Sequence, residues 1–276
     1  LIDVAALVID DLIARLNEAY RRTFGSQDPH VPEIVGWAAE LALENIARSD
    51  APYHDVEHTV MVTWVGAEIL RCHHLREGAV QPRDWMHFLV ALLCHDIGYV
   101  RGICQGDAPG LYLTGHGSQV TTLPPGATDA SLQPWHVDRG MRFVRERFAT
   151  SPWLDVEVLA SHIAYTRFPV PDDPAFQETR TLRGLVRAAD LIGQLADPYY
   201  LRKLPALFRE FRETGMDGSY GFAHADAMRE GFPMFYEGSV RPSIAYAIEL
   251  LRTTARGRQW VASLHAHVYE AATLQR

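Results

Sequence analysis

The chain has 276 residues, 47% of them apolar and 10% aromatic, enough hydrophobic side chain for a sizeable core and too much for wholesale disorder. Its 26 Lys and Arg against 34 Asp and Glu give a net charge of −8, which argues against a nucleic-acid backbone as partner, because phosphate neutralisation needs clustered cations. Cys72, Cys94 and Cys104, odd in number and without CxxC spacing, suggest neither a disulfide framework nor a cysteine-held zinc and point to a reducing cytoplasm.

Apolar residues three and four apart predict helices in chain order over 4–24, 32–46, 55–75, 82–97, 136–148, 154–165, 179–195, 199–211 and 243–273. No stretch alternates apolar and polar residues between hairpin dipeptides, so the expected fold is all-α, a single domain over 1–276 with its core at about 53–213. The sequence starts at Leu1 without a basic stretch leading an apolar one, so no secretory signal is read and an upstream segment is left open. The most apolar window, 88–94, runs into His95 and Asp96, far short of the ~20 residues of a membrane span.

Three stretches resist the helical pattern. Residues 99–134 carry six Gly and four Pro in 36 positions, a long loop read as an insert covering the site. Residues 167–175 hold three Pro, and 215–238 mix Gly with aromatics. His73-His74 and His265-Ala266-His267 fit no ordered pattern and are taken as solvent-facing.

Four side chains interrupt apolar helix faces. Asp55 is placed as the N-cap of the third helix, which puts His58 in its first turn and His54 just outside. His54 and His58 are spaced as in the zinc-protease pattern HExxH, but Asp55 stands where that mechanism needs Glu. The fourth helix carries Phe88 and Leu92 and then His95 and Asp96, with Gly98 as a stop. Asp190 lies four after Val186 and eight after Leu182 on an apolar face. A carboxylate there needs a partner, either a metal or, for Asp190, an intrahelical pair with Arg187.

In order, His58, His95-Asp96 and Asp190 resemble the H…HD…D signature of the HD superfamily of metal-dependent phosphohydrolases. That resemblance implies a helical bundle with long loops over a metal site. His136 and His162 extend it to the two-metal subgroup H…HD…H…H…D, which makes both ligands of a second metal bridged by Asp96, with His116 the competitor for His136. Residues 53–236 also resemble cyclic-nucleotide phosphodiesterase catalytic domains, through Tyr53-His54-Asp55 before His58, Ile163-Ala164-Tyr165-Thr166, and Ala189-Asp190-Leu191 followed by Asp197-Pro198. This similarity implies that His54 is the general acid. Tyr99 replaces a second His of that family and a Lys of other superfamily members, and Arg229 stands where a purine-reading Gln precedes Gly231-Phe232.

Imidazoles and carboxylates suit Fe, Mn or Zn, two of which bridged by Asp96 can share a hydroxide nucleophile. Arg101, Arg167, Arg187 and Lys203 are the basic residues nearest the ligands in sequence and the candidates to hold a phosphate oxygen. The expectation is a cytoplasmic phosphohydrolase acting on a small phosphoester, a nucleotide-like phosphodiester, with His54 and Asp96 catalytic, no membrane partner and self-association left open. An iron-dependent oxygenase on the same cage and a non-catalytic nucleotide-sensing module are the alternatives.

Overall fold

The structure, a computed structural model, describes residues 4–273. Among the described residues twelve α-helices run in the order α1 (Val4–Phe24), α2 (His30–Ile46), α3 (Val56–Glu77), α4 (Pro82–Cys94), α5 (His136–Phe148), α6 (Val156–Ala164), α7 (Leu182–Leu195), α8 (Tyr200–Thr214), α9 (Met216–Tyr220), α10 (Ala225–Phe235), α11 (Arg241–Leu251) and α12 (Ala255–Thr273). The fold is all-α; among the described residues the β-structure is one two-stranded antiparallel ladder, 112–113 on 120–121, with an isolated bridge beside it. No helix among the described residues is long and apolar enough to cross a membrane. Cys72, Cys94 and Cys104 are buried and unpaired.

Local chemistry sets the ends of the helices that carry the site. Asp55 caps α3 by accepting the His58 backbone N–H at 2.9 Å, and Gly78 at φ +64° ends it in the left-handed conformation that glycine adopts freely. Gln81 and Asp84 form a capping box around Pro82 at the start of α4. Thr181 caps α7 by accepting the Gly184 N–H.

One apolar cluster runs from Ile9 on α1 to Ala271 on α12. At its centre α3 packs on α7, and glycine sets how near they come: a Cβ on Gly193 of α7 would lie 2.6 Å from the Val62 Cα of α3. Such an approach excludes any side chain at 193 and brings the site-bearing faces of the two helices together.

The structure departs from the sequence expectations in four places. The helix expected over 243–273 is two, α11 and α12, because residues 252–254 turn between them. The expected break at 215–238 contains α9 and α10, with Phe232 of α10 buried in the core. The expected loop cover over 99–134 lies mostly elsewhere. Arg139, fully buried on α5, donates to the carbonyls of Gly98, Val100 and Leu113 and pairs with Asp107 at 3.0 Å, folding the segment against α5. Of the His read as solvent-facing, His73 is buried and meets Glu77 at 3.1 Å, His74 Nδ1 donates to the Val80 carbonyl at 3.0 Å, and buried His267 Nδ1 donates to the Leu195 carbonyl at 2.8 Å; His265 is exposed. Short spacings to a carboxylate or a free carbonyl let these imidazoles enter the interior with a polar partner.

Candidate metal centre

The start of α3, the end of α4 and the middle of α7 converge on one point. Asp96 Oδ2 lies 3.2 Å from His58 Nε2 and 3.0 Å from His95 Nε2, and Asp190 Oδ1 lies 3.7 and 3.5 Å from the same two nitrogens. His58, His95 and Asp96 are nearly inaccessible, whereas Asp190 keeps about 17% of its side chain open. His95 Nε2 and Asp96 Oδ2 are buried with no hydrogen-bond partner, a costly state for polar atoms unless a cation lies between them. His95 Nδ1 donates to the Leu92 carbonyl at 2.6 Å, which leaves Nε2 as the nitrogen aimed at the two carboxylates and, in the neutral ring, the one able to ligate a metal. Two imidazoles and two carboxylates suit Zn, Mn or Fe in preference to the all-oxygen shells of Mg or Ca.

Electrostatics tie the four groups together. Burial opposes charge on His95, but Asp96 and Asp190 outweigh it and hold the imidazole well above its ordinary value. Burial likewise works against ionised Asp96, while His95 and His54 hold it well below the usual carboxylate range. The carboxylate is thereby ionised and ready to receive a cation.

His54 lies beside this cluster, with a ring nitrogen within 4.8 Å of ligand atoms on His58 and Asp96. Its Nδ1 meets Glu210 Oε2 at 2.5 Å, and Glu210 Oε1 accepts the backbone N–H groups of Tyr53 (2.6 Å) and His54 (3.2 Å). Glu210, on α8 and almost fully buried, is the site residue that sequence reasoning missed. Burial lowers the His54 pKa, but Glu210 and Asp96 more than compensate and bring it up to about 9. With Nδ1 held by Glu210, Nε2 is the nitrogen left for proton transfer.

Tyr99 stacks on both His54 and His136, with ring centroids 4.5 and 4.6 Å apart. His136 opens α5, donates Nδ1 to the Gln133 carbonyl at 2.5 Å, and brings Nε2 to 3.8 Å from Asp96 Oδ1. It thus faces Asp96 through Oδ1, the carboxylate oxygen other than the one that His58 and His95 approach. His116, its competitor, is mostly exposed and lies 3.4 Å from Asp138.

His162 is a correction. Its ring packs edge-on to Phe88 at 6.4 Å, and it belongs to neither group of converging ligand atoms among the described residues. Burial, with His87 and Arg183 adding to it, pushes its pKa down to about 4, so it is a neutral interior His. Its place inside α6 turns the ring into the apolar packing between α6 and α4.

The proposed phosphate-holding cations are corrections too, each being committed to carboxylates or carbonyls elsewhere. Arg101 pairs with Asp129 and, at 2.6 Å, with Asp50. Arg167 makes a bidentate pair with Asp138 at 2.5 and 2.9 Å. Lys203 joins Asp197 at 2.6 Å and Glu57 at 3.0 Å. Arg187 donates to the Tyr165 and Phe176 carbonyls, not to Asp190.

A cavity of about 140 Å³ opens on the cluster, reaching Asp96, Asp190, His54, His136 and Glu210. Tyr99 and Gln133 are the lining residues from the 99–134 segment; much of the wall comes instead from α8, α9 and α10. Thr166 and Phe232 both line it, whereas Arg229 does not and lies 3.5 Å from Glu270.

Fold and site together define an all-helical protein with a buried two-His, two-Asp constellation at the foot of a cavity. The chain belongs to the Npun_R2479-like family, which matches residues 2–273. A comparison with curated proteins finds no match.

Proposed function

We propose that the chain is a metal-dependent phosphohydrolase of the HD type, cleaving a small phosphodiester with His54 as general acid. The observation that carries this reading is the pair of buried, unpartnered ligand atoms, His95 Nε2 and Asp96 Oδ2, facing His58 and Asp190. A divalent ion held by these four residues would supply Lewis acidity and lower the pKa of a water. As water attacks phosphorus and the ester P–O bond breaks, the electron pair leaves on the departing oxygen, which takes the Nε2 proton of His54; the product keeps the water oxygen with one proton, and the other passes to solvent, from which His54 is reprotonated. Glu210 keeps the ring oriented through Nδ1 and stabilises the imidazolium beforehand, a division of labour that typically contributes ~10²–10⁴ in rate.

His58, His95, Asp96 and Asp190 form a complete set for one ion, so the reading is narrowed to one tightly held metal. A second ion is left with Asp96 and His136 alone once His162 is removed from the set.

The test is hydrolysis of bis(p-nitrophenyl) phosphate by protein loaded with Mn, Fe or Zn. Turnover that requires metal and falls in Asp96→Ala supports the reading; fully loaded protein without turnover on any phosphoester contradicts it. The cation-free lining of the cavity favours one second reading, an iron-dependent oxygenase on the same ligands, which oxygen consumption by the iron-loaded chain would reveal.

A further inference from the structure

Three carboxylates, Asp96, Asp190 and Glu210, line the cavity without a single Lys or Arg, and the Arg and Lys nearest in sequence are tied up elsewhere. One divalent ion held there would leave no surplus positive charge beside three carboxylates. A phosphomonoester dianion placed there would be an anion desolvated without a counter-charge, which is strongly disfavoured. A diester, with one negative charge, asks for half as much.

Beyond these carboxylates the wall is mostly apolar, with Gln133, Thr166, Gln194 and Thr214 as neutral polar side chains among it. Leu204, Leu207 and Phe232 are almost fully buried within it, while Tyr220 is exposed and marks the mouth, with Phe222 half-buried nearby. The cavity's 140 Å³ is comparable to the ~150 Å³ of an apolar protein cavity that accepts benzene. Aromatic walls recognise a flat apolar body by burial and by edge or face contact with its ring.

Resting on the hydrolase reading above, we infer that the substrate is a phosphodiester monoanion bearing an aryl group, which lies among Leu204, Leu207 and Phe232 while the phosphoryl group faces the divalent ion that Asp96 and Asp190 would hold at the other end of the cavity. The site selects by apolar fit and against charge. Phosphomonoesters and inorganic phosphate are correspondingly poor ligands.

Calorimetric titration tests this in two stages. The metal-free chain is titrated with neutral 1-naphthol, and the Mn²⁺-loaded chain with diphenyl phosphate, phenyl phosphate and inorganic phosphate. Naphthol should bind the metal-free chain, and diphenyl phosphate should bind the loaded chain at least about tenfold more tightly than phenyl phosphate, because it carries one negative charge into the cavity where phenyl phosphate carries two. Leu207→Trp, which fills the cavity, should weaken both aryl ligands by about tenfold or more. Phe222→Lys, at a half-buried position that tolerates a long side chain, should shift the preference toward phenyl phosphate. The inference is overturned if naphthol fails to bind, if phenyl phosphate or inorganic phosphate binds as tightly as diphenyl phosphate, or if neither variant alters diphenyl phosphate binding. Phenol release separates the two claims. Tight diphenyl phosphate binding with no phenol released from any ester overturns the hydrolase reading alone, and hydrolysis that prefers phenyl phosphate overturns the aryl-diester inference alone.

Discussion

At the scale of single residues, Glu210 decides how His54 behaves. It fixes Nδ1 and raises the imidazole to about 9, so an acid based on His54 stays protonated across neutral pH and is lost as pH rises toward 9. In Glu210→Gln the largest attraction is gone, and the alkaline limb of kcat should move to lower pH, toward the ordinary histidine value near 6.5. Metal content should be unchanged, which separates this orienting role from ligation. A pH–rate profile that keeps its alkaline limb in place would remove Glu210 from the mechanism. The convergence of His58, His95, Asp96 and Asp190 was legible in the sequence because each breaks an apolar face. Glu210 was not, since in Arg209-Glu210-Phe211-Arg212-Glu213 it resembles a solvated charge; the available signal was its place three after Leu207 on the stripe through Leu201 and Leu204.

His162 gives a second prediction at this scale. Its folded value of about 4 lies below the unfolded value near 6.5. Between those pH values the unfolded chain binds a proton that the folded chain refuses, so stability is fully present above about 6.5 and falls as pH drops toward 4. The loss should reach at most about 3 kcal/mol. Urea midpoints at pH 7 and 4.5 should therefore lie closer together in His162→Leu than in the wild type; an unchanged gap would contradict the assignment of His162 as a buried neutral group.

At the scale of elements, the site depends on how closely α3 and α7 approach. A Cβ at Gly193 would meet the Val62 backbone, which cannot swing aside like a side chain, so Gly193→Ala must push apart the helices that carry His58 and Asp190. Overpacking of this kind typically costs ~1–3 kcal/mol. The expected result is a lower denaturation midpoint together with weaker metal binding. Gly218→Ala, on α9 with open space around it, should leave both near the wild-type values. If the two variants behave alike, close packing at 193 is not what aligns the ligands.

The long amphipathic helices were readable from periodicity, since 4–24 and 136–148 correspond to α1 and α5. The cavity wall was not. Gly215, Gly221 and Pro233 interrupt the local pattern of α9 and α10, and only the tertiary contacts of Phe232 and its neighbours make that stretch helical. The glycine-rich 99–134 segment was misjudged for the opposite reason, because its anchor, Arg139, lies outside it on α5 and looks like an ordinary surface cation.

At the scale of the whole molecule, the four ligand-bearing positions are scattered over 133 residues, from His58 to Asp190, and helix packing unites them. The central claim is that packing creates one metal centre from His58, His95, Asp96 and Asp190. Its most direct measurement is elemental analysis of purified wild type, His95→Ala, Asp190→Asn, His54→Asn and His162→Leu, each checked for helical content by circular dichroism. The account expects about one transition-metal ion per folded wild-type chain, its loss in His95→Ala and Asp190→Asn, and its retention in His54→Asn and His162→Leu. Full metal content in folded His95→Ala and Asp190→Asn would contradict it.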